Sequence, residues 1–414
     1  MTTSGHDLLS LRWGQLDAAE LMTLVRAGID GPGQYPGAGE RNKFCLPLAG
    51  IDCRVQLEFR RGRIVAITQG PSFDRDQWDV LSDQIDQSTP GAGRVFGRAF
   101  TFCSFRVDAG WRGLESGVSL LPPPSGTPEA DQEIAAHPFI LEYPLHSSPV
   151  SELTMFRRAR EHQRISRLLN LLLNGRTSEK PSVSENGVWI STHQEGNPPD
   201  FRWVRPTFWA SLGSAISNDR SALPANRIVE CSPAEYYLRM GHDGLPLRVP
   251  SDLDTSIKTY QDLGDNLRRK FDRCLFWIDF AAATWGISTS SSFAALVSAI
   301  ESLTGRDSSL QERCAECGRT KEASGGGPTA KFQNFLETYA SGSVFDSRRK
   351  EMYRLRSNIL HGSSLMIPDY DLAFRWDPWQ WNEHELHSGL WSLARIASLN
   401  WLGEKRDPSS RAGV

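Results

Sequence analysis

The sequence predicts an α+β protein: a β-rich N-terminal half followed by an all-α helical bundle. Two observations carry that expectation. Up to about residue 250, runs rich in β-branched and aromatic residues alternate with turn-forming stretches. From about Ser251 the apolar residues recur at helical spacing between caps and stops. No internal repeat of fixed period is present. The 414 residues are long enough for two domains at ~150 residues each, which places a β-rich sensing or regulatory region over 1–250, the bundle over 251–404 and a tail over 405–414.

In the first region Cys53 to Gly70, CRVQLEFRRGRIVAITQG, carries two strand-like runs around RRGR and predicts a hairpin. GRVFGRAFTFCSFRVDAG and HPFILEYPL continue as strands, separated by LPPPSGTPEADQE, a loop. One helix interrupts, from about Glu152 to Leu173, before GVWISTHQ and FRWVRPTFWA return to strands. In the second region Asp254 or Ser256 caps a long helix running to about Thr284. TSSSFAALVSAIESLTG is the next, with serine caps and a stop at Gly305; TAKFQNFLETYASG and DSRRKEMYRLRSNILHG are the third and fourth. The last runs from Asn382 to about Leu402, with Asn382 and Glu385 placed as a capping box. Its Leu386, Leu390, Leu393, Ala397 and Trp401 share one face. GEKRDPSSRAGV is expected to be disordered.

Composition narrows the function classes. Hydrophobic residues at 39% and charged residues at 23% suit a chain that buries a core. A net charge of -3 supplies no global pull onto nucleic acid or membrane, so any RNA contact needs local basic patches. The N-terminus lacks a secretory pattern, and no apolar run approaches the ~18 residues of a membrane span. The 7 Cys are odd in number and scattered apart from one pair, which suits a reducing, cytoplasmic interior.

The stretch with chemical content is RLRSNILHG on the fourth helix. Met352, Leu355 and Ile359 form its apolar stripe; Arg356 lies beside that stripe, and His361 lies ~140° from Arg356 around the wheel. Within one straight helix the two cannot meet on one small group. They can if the chain leaves helical geometry at Gly362, or if a second copy of the helix faces the first. His361 sits in the last turn, where the helix dipole favours the imidazolium, and Gly362 at C′ lets the helix end. An imidazole can take a proton from a ribose 2′-OH or return one to a 5′-oxygen. A guanidinium neutralises charge developing on the phosphate, and neither step needs a metal. Ser357 and Asn358 could hydrogen-bond the phosphate or orient the histidine. The bland alternative is an arginine stem over the core and a histidine capping carbonyls.

MYRLRSNILHG resembles the signature of HEPN-domain ribonucleases, in particular the Apea-like HEPN family of prokaryotic defence and toxin proteins. FAALVSAIESLTG is similar to that family's preceding helix, and the resemblance spans roughly Asp254 to Leu402. It implies a metal-independent endoribonuclease, with no cofactor required, whose two protomers bring their Arg-His motifs into a cleft on a two-fold axis. By position His361 is then the acid/base, Arg356 the phosphate binder, Asn358 or Ser357 the accessory polar group and Glu301 a supporting acid. Serine follows the arginine where many relatives have asparagine or aspartate.

Other signals compete. RRAREH repeats the spacing with Arg157 and His162, but its helix continues without a glycine stop. Arg157, Arg160, Arg164 and Arg167 form one basic stripe, opposite Ile165, Leu168 and Leu172, that could track RNA phosphates or be a solvated face. Cys314 and Cys317 are half a zinc site, which distant Cys274 or a partner chain would have to complete. Gly325 to Gly327 lacks the ending of a phosphate-binding loop and reads as a loop between helices. Trp376, Trp379 and Trp381 near His384 and His387 suit base stacking or a packed cap over the bundle end.

The expectation is a homodimeric endoribonuclease acting in anti-phage defence or as a toxin, its N-terminal half gated by a phage-derived trigger. The rivals are a non-catalytic dimerisation or RNA-binding bundle, and a zinc-dependent nucleic-acid binder.

Overall fold

The computed structural model describes residues 8–10, 13–14, 16–29, 43–46, 53–60, 63–89, 93–124, 137–175, 177–178, 188–192, 200–204, 216–238, 245–304, 311–313, 320–322, 327–370 and 378–406. In chain order come α1 (Ala18–Gly28), β1 (Lys43–Leu46), β2 (Val55–Arg60), β3 (Arg63–Gln69) and α2 (Arg75–Ser88). β4 (Arg94–Cys103), β5 (Trp111–Arg112), β6 (Ser119–Leu121) and β7 (His137–His146) lead to α3 (Ser151–Leu172). Then follow β8 (Thr177–Ser178), β9 (Val188–Thr192), β10 (Asp200–Val204), β11 (Ile216–Ser217), β12 (Val229–Cys231), α4 (Pro233–Leu238) and β13 (Arg248–Pro250). The remainder is α5 (Leu253–Gln261), α6 (Asp265–Thr284), α7 (Thr289–Leu303), β14 (Gln311–Arg313), β15 (Thr320–Glu322), α8 (Pro328–Tyr339), α9 (Arg349–Leu360) and α10 (Pro378–Glu404). The fold is α+β, strand-rich in its first part and helical in its second.

Two compact units emerge, and neither is continuous in sequence. The first comprises Met1–Phe100, Ile140–Gln163 and Thr207–Ala222; the second comprises Thr101–Phe139, Arg164–Pro206 and Leu223–Val414. The division departs from the expected boundary at 250/251, because segments from the strand-rich half fold with the bundle.

In the first unit β1, β2 and β3 form an antiparallel sheet. The expected hairpin is β2–β3, paired from Val55↔Gln69 to Arg60↔Arg63 with a register shift at Glu58/Phe59. Leu46, Val55, Leu57 and Ile67 from this sheet share a core with Leu21, Leu24 and Val25 of α1 and Trp78, Leu81 and Ile85 of α2. Those two helices correct the reading of a single helix before residue 250. Their signals were present: Asp17 caps α1 by accepting from the Ala19 and Glu20 N–H groups, and Asp74 caps α2 through the Gln77 N–H. The apolar residues of both helices recur three and four apart.

In the second unit the strands are short, with β9–β10 and β5–β6 antiparallel and β12–β13 parallel. α7 is the centre of the bundle and touches α6, α8, α9 and α10. Most of its length is buried, Ser290 and Ser292 included, as a central helix requires, and Phe293, Leu296, Val297 and Ile300 are fully buried. Phe271 and Cys274 of α6, Phe332 and Leu336 of α8, Met352 of α9 and Leu390 and Leu393 of α10 complete the core. The expected long helix to Thr284 is two helices, broken at Asp262, Leu263 and Gly264, with Gly264 at the N-cap of α6. Asp254 is no cap: its carboxylate accepts from the Glu115 and Ser116 N–H groups at 2.9 and 3.0 Å. α10 begins at Pro378, four residues before the expected start. Asn382 and Glu385 do not cap it; both accept from the Arg348 guanidinium.

The tail's Lys405 and Arg406 are placed, Arg406 bonding Asp252 at 2.6 Å; the rest of 405–414 lies outside the described residues. Among the described residues no helix is long and apolar enough to cross a membrane.

Candidate functional site

α9 carries the motif, and its two ends explain its aim. At the start Arg349 is buried and held by Glu337 and Asp346, both at 2.6 Å, and by the Ala340 carbonyl at 3.0 Å. At the finish Gly362 adopts φ +70, where an L side chain is strained. The Gly362 N–H then donates to the Ile359 carbonyl at 3.0 Å and the Ser363 N–H to the Asn358 carbonyl at 2.9 Å. That pair of bonds is a Schellman stop, and it makes His361 the C-cap. The imidazole is exposed at the helix end.

The buried face of α9 is Arg349, Met352 and Tyr353, whereas Leu355 and Ile359 are only partly buried. The apolar stripe is therefore turned toward Tyr353 relative to the sequence expectation. That rotation brings Arg356 inward. Its side chain is 20% exposed and donates to Glu301 Oε2 of α7 at 2.5 Å. The Tyr353 hydroxyl donates to the other oxygen, Glu301 Oε1, at 2.8 Å. The guanidinium carbon also stands 5.6 Å from the centroid of the Tyr353 ring. Partial burial, and then the bond to the Glu301 carboxylate, raise the Tyr353 pKa above its usual range, so the phenol remains a donor. Arg356 Nε is buried without a hydrogen-bond partner.

The structure thus brings together Glu301, Tyr353 and Arg356, and sets His361 on a different face at the helix end. The Ser357 and Asn358 side chains have no hydrogen-bond partner among the described residues; Ser357 is half-buried and Asn358 exposed. Tyr353 is the member that sequence reasoning did not assign, although its spacing three before Arg356 puts both on one face.

The basic stripe on α3 is corrected. Arg157 is 5% exposed and donates to Glu20 at 2.9 Å and the Ser88 carbonyl at 3.0 Å. Arg160 bonds Asp17 and Glu20. Arg164 pairs with Asp272 at 3.3 Å and Arg167 with Asp279 at 3.7 Å. Each guanidinium is engaged by a carboxylate, which leaves neither an open phosphate track nor a freely solvated face. His162 of the rival spacing is buried against Tyr143, inside α3.

Cys314 and Cys317 lie outside the described residues. Cys274, the distant candidate, is buried beside the Ser398 hydroxyl at 3.2 Å, and burial pushes its thiol up to about 12. Among the described residues no group of three or more His, Cys, Asp and Glu side chains converges on a metal position. Gly327, the described end of the glycine run, is the N-cap of α8.

Of the aromatic cluster, Trp379 is 73% and Trp381 50% exposed, so neither belongs to a packed cap; Trp376 lies outside the described residues. His387 is buried, stacked on Trp285 at 3.8 Å, and its Nε2 lies 2.9 Å from the Ser292 hydroxyl. This serine–histidine contact is structural. The Ser292 hydroxyl donates to the Ala281 carbonyl at 2.8 Å, so it accepts from the imidazole N–H, and Ser292 is fully buried. A cleft of about 420 Å³ bordered by Tyr237, Asp252, Ile396 and Arg406 includes none of the motif residues.

Comparison of the chain with protein-family models, with curated proteins and with solved structures finds no match to any of them.

Proposed function

We propose that the protein is a metal-independent endoribonuclease of the HEPN type, working as a two-fold pair in anti-phage defence or as a toxin. The observation that carries the reading is the division of labour on α9. His361 is exposed and fixed by the Schellman stop, while Arg356 is held on another face by Glu301 and Tyr353. The exposed Leu360 and Leu365 beside the histidine, at 55% and 52%, also support it, because pairing of two copies would cover them.

In the reaction, one His361 removes the proton from a ribose 2′-OH as that oxygen attacks the adjacent phosphorus. The bond to the 5′-oxygen breaks, a 2′,3′-cyclic phosphate forms, and the imidazolium of the second copy protonates the leaving oxygen. Arg356 balances the charge that builds on the non-bridging oxygens. The strand-rich segments restrain the nuclease until a phage-derived trigger acts on them, in a cytoplasmic setting.

The test is single-stranded RNA incubated with purified protein in EDTA. The expected result is 2′,3′-cyclic phosphate ends, with cleavage reduced ~10²–10⁴-fold in His361→Ala, the usual range for loss of a general acid–base group. Cleavage by His361→Ala at the wild-type rate would remove the reading.

The second reading, a non-catalytic dimerisation or RNA-binding bundle, draws on the same clamp: Glu301, Tyr353 and Arg356 tie α7 to α9 whether or not chemistry occurs. RNA bound by the wild type but left intact with the trigger present would favour it.

A further inference from the structure

The exposed side of α9 carries a pattern that the clamp and the histidine do not use. Lys350, Arg354, Asn358 and His361 are all exposed, and they fall within a ~80° arc of the helix wheel. Successive members are ~6, ~6 and ~4.5 Å apart along the axis. The other arginines of this segment are taken. Arg348 pairs with Glu351 and Glu385, Arg349 with Glu337 and Asp346, and Arg356 with Glu301. Lys350 and Arg354 have no carboxylate or hydrogen-bond partner among the described residues. Glu351, three residues before Arg354, is spent on Arg348 at 3.0 Å.

An unpaired Lys/Arg couple four apart opposes helix formation, since like charges at that spacing repel. Opposite charges pair at this spacing in Arg75–Asp79 and Lys258–Asp262, while Arg269 and Arg273 of α6 are a second exposed basic couple four apart. What sets the α9 couple apart is its alignment with His361 on one solvent-facing arc, a surface complementary to a chain of phosphates.

We infer that Lys350, Arg354 and Asn358 form a phosphate-tracking stripe for single-stranded RNA that leads along α9 to His361. The inference rests on the nuclease reading for its substrate. Lys350 and Arg354 neutralise phosphates on one side of the scissile bond, and the Asn358 amide donates to the next. The stripe sets where the strand lies; it performs no chemistry.

The experiment uses the full chain and a fluorescent 2′-O-methyl RNA oligonucleotide, which lacks the attacking hydroxyl. Binding is followed by anisotropy over a salt series in EDTA. Three proteins are compared: the wild type, Lys350→Ala with Arg354→Ala, and a charge-matched control, Arg75→Ala with Arg268→Ala. Loss of two phosphate contacts is expected to flatten the slope of log K against log salt by ~1.4 and to weaken binding at moderate salt by about tenfold, while the control tracks the wild type. An α9 double variant with the wild-type slope and affinity overturns the stripe, as does a wild type that does not bind. If the stripe variant binds normally and unmodified RNA is still cut, the inference alone has failed. If the stripe governs binding and the triggered wild type cuts nothing, the nuclease reading has failed instead.

Discussion

His387 has the surroundings of a residue chosen for shape rather than charge. It stacks on Trp285, bonds Ser292 and is 2% exposed, and burial, with His384 nearby, holds its pKa down to about 4. The unfolded chain restores the ordinary value of 6.5. Between about 4 and 6.5 the unfolded state therefore binds more protons than the folded one, and stability rises with pH across that window. The contribution is complete above 6.5 and lost as the pH falls through the folded value. Urea midpoints measured from pH 7 down to pH 4 are expected to fall less steeply in His387→Gln than in the wild type. Parallel profiles would show that the imidazole is not the group responsible. His361 is its opposite in placement: exposed, last in its helix and free to meet a ligand. Nothing in residue type separates the two, and burial alone does.

At the scale of elements, the C-terminal end of α3 depends on donors brought from far away in sequence. Arg395 of α10 gives Nη2 to the Asn170 and Leu171 carbonyls at 3.1 and 2.8 Å. The Tyr236 and Tyr237 hydroxyls of α4 donate to the Leu173 and Leu172 carbonyls. These are the carbonyls a helix leaves without partners at its end. Arg395 is 8% exposed with its guanidinium 5.4 Å over the Trp391 ring, and burial draws its pKa down to about 10. Arg395→Met preserves much of the volume but strands two buried carbonyls, and a loss of ~1–3 kcal/mol is expected from urea unfolding. An unchanged midpoint would assign the capping to the tyrosines. The same long-range logic explains the misplaced start of α10. Asn382 and Glu385 have the spacing of a capping box, yet their acceptors face Arg348. A four-residue pattern does not reveal that a guanidinium arrives from another helix. α2 is hard to read from sequence for a different reason: RDQWDVLSDQIDQS is so polar that three apolar residues, Trp78, Leu81 and Ile85, carry its apolar inward face.

For the molecule as a whole, the division of the chain matters more than the count of elements. Within the second unit, bonds link the bundle to segments that precede residue 250. Asp254 accepts from the Glu115 and Ser116 N–H groups, Gln261 donates to the Ser116 carbonyl, and Asn170 bonds Asp279 at 2.9 Å. Leu247, Val249 and Tyr236 of those segments are buried. A fragment cut at 251 would expose that surface and leave the α10 guanidinium of Arg395 without its carbonyls. The expected outcome is that residues 251–414 alone melt at a lower temperature than the full chain, or without a cooperative transition. A fragment that melts as sharply and as high as the parent would restore the boundary at 250/251.

Order of residues alone determined the α+β class, the β2–β3 hairpin, the existence of α7, α8 and α9, and the glycine stop that leaves His361 at a helix end. Those features are decided within a few residues, by periodicity, caps and the one φ that glycine tolerates at low cost. Tertiary structure decided which charges are taken. Glu301 and Arg356 are 55 positions apart, and Arg157 reaches Glu20 across 137. Such pairings turned the basic stripe of α3 into a set of ion pairs and left Lys350 and Arg354 open. An ionic partner is chosen by proximity in the folded chain, and a pattern that repeats every three or four residues holds no record of it.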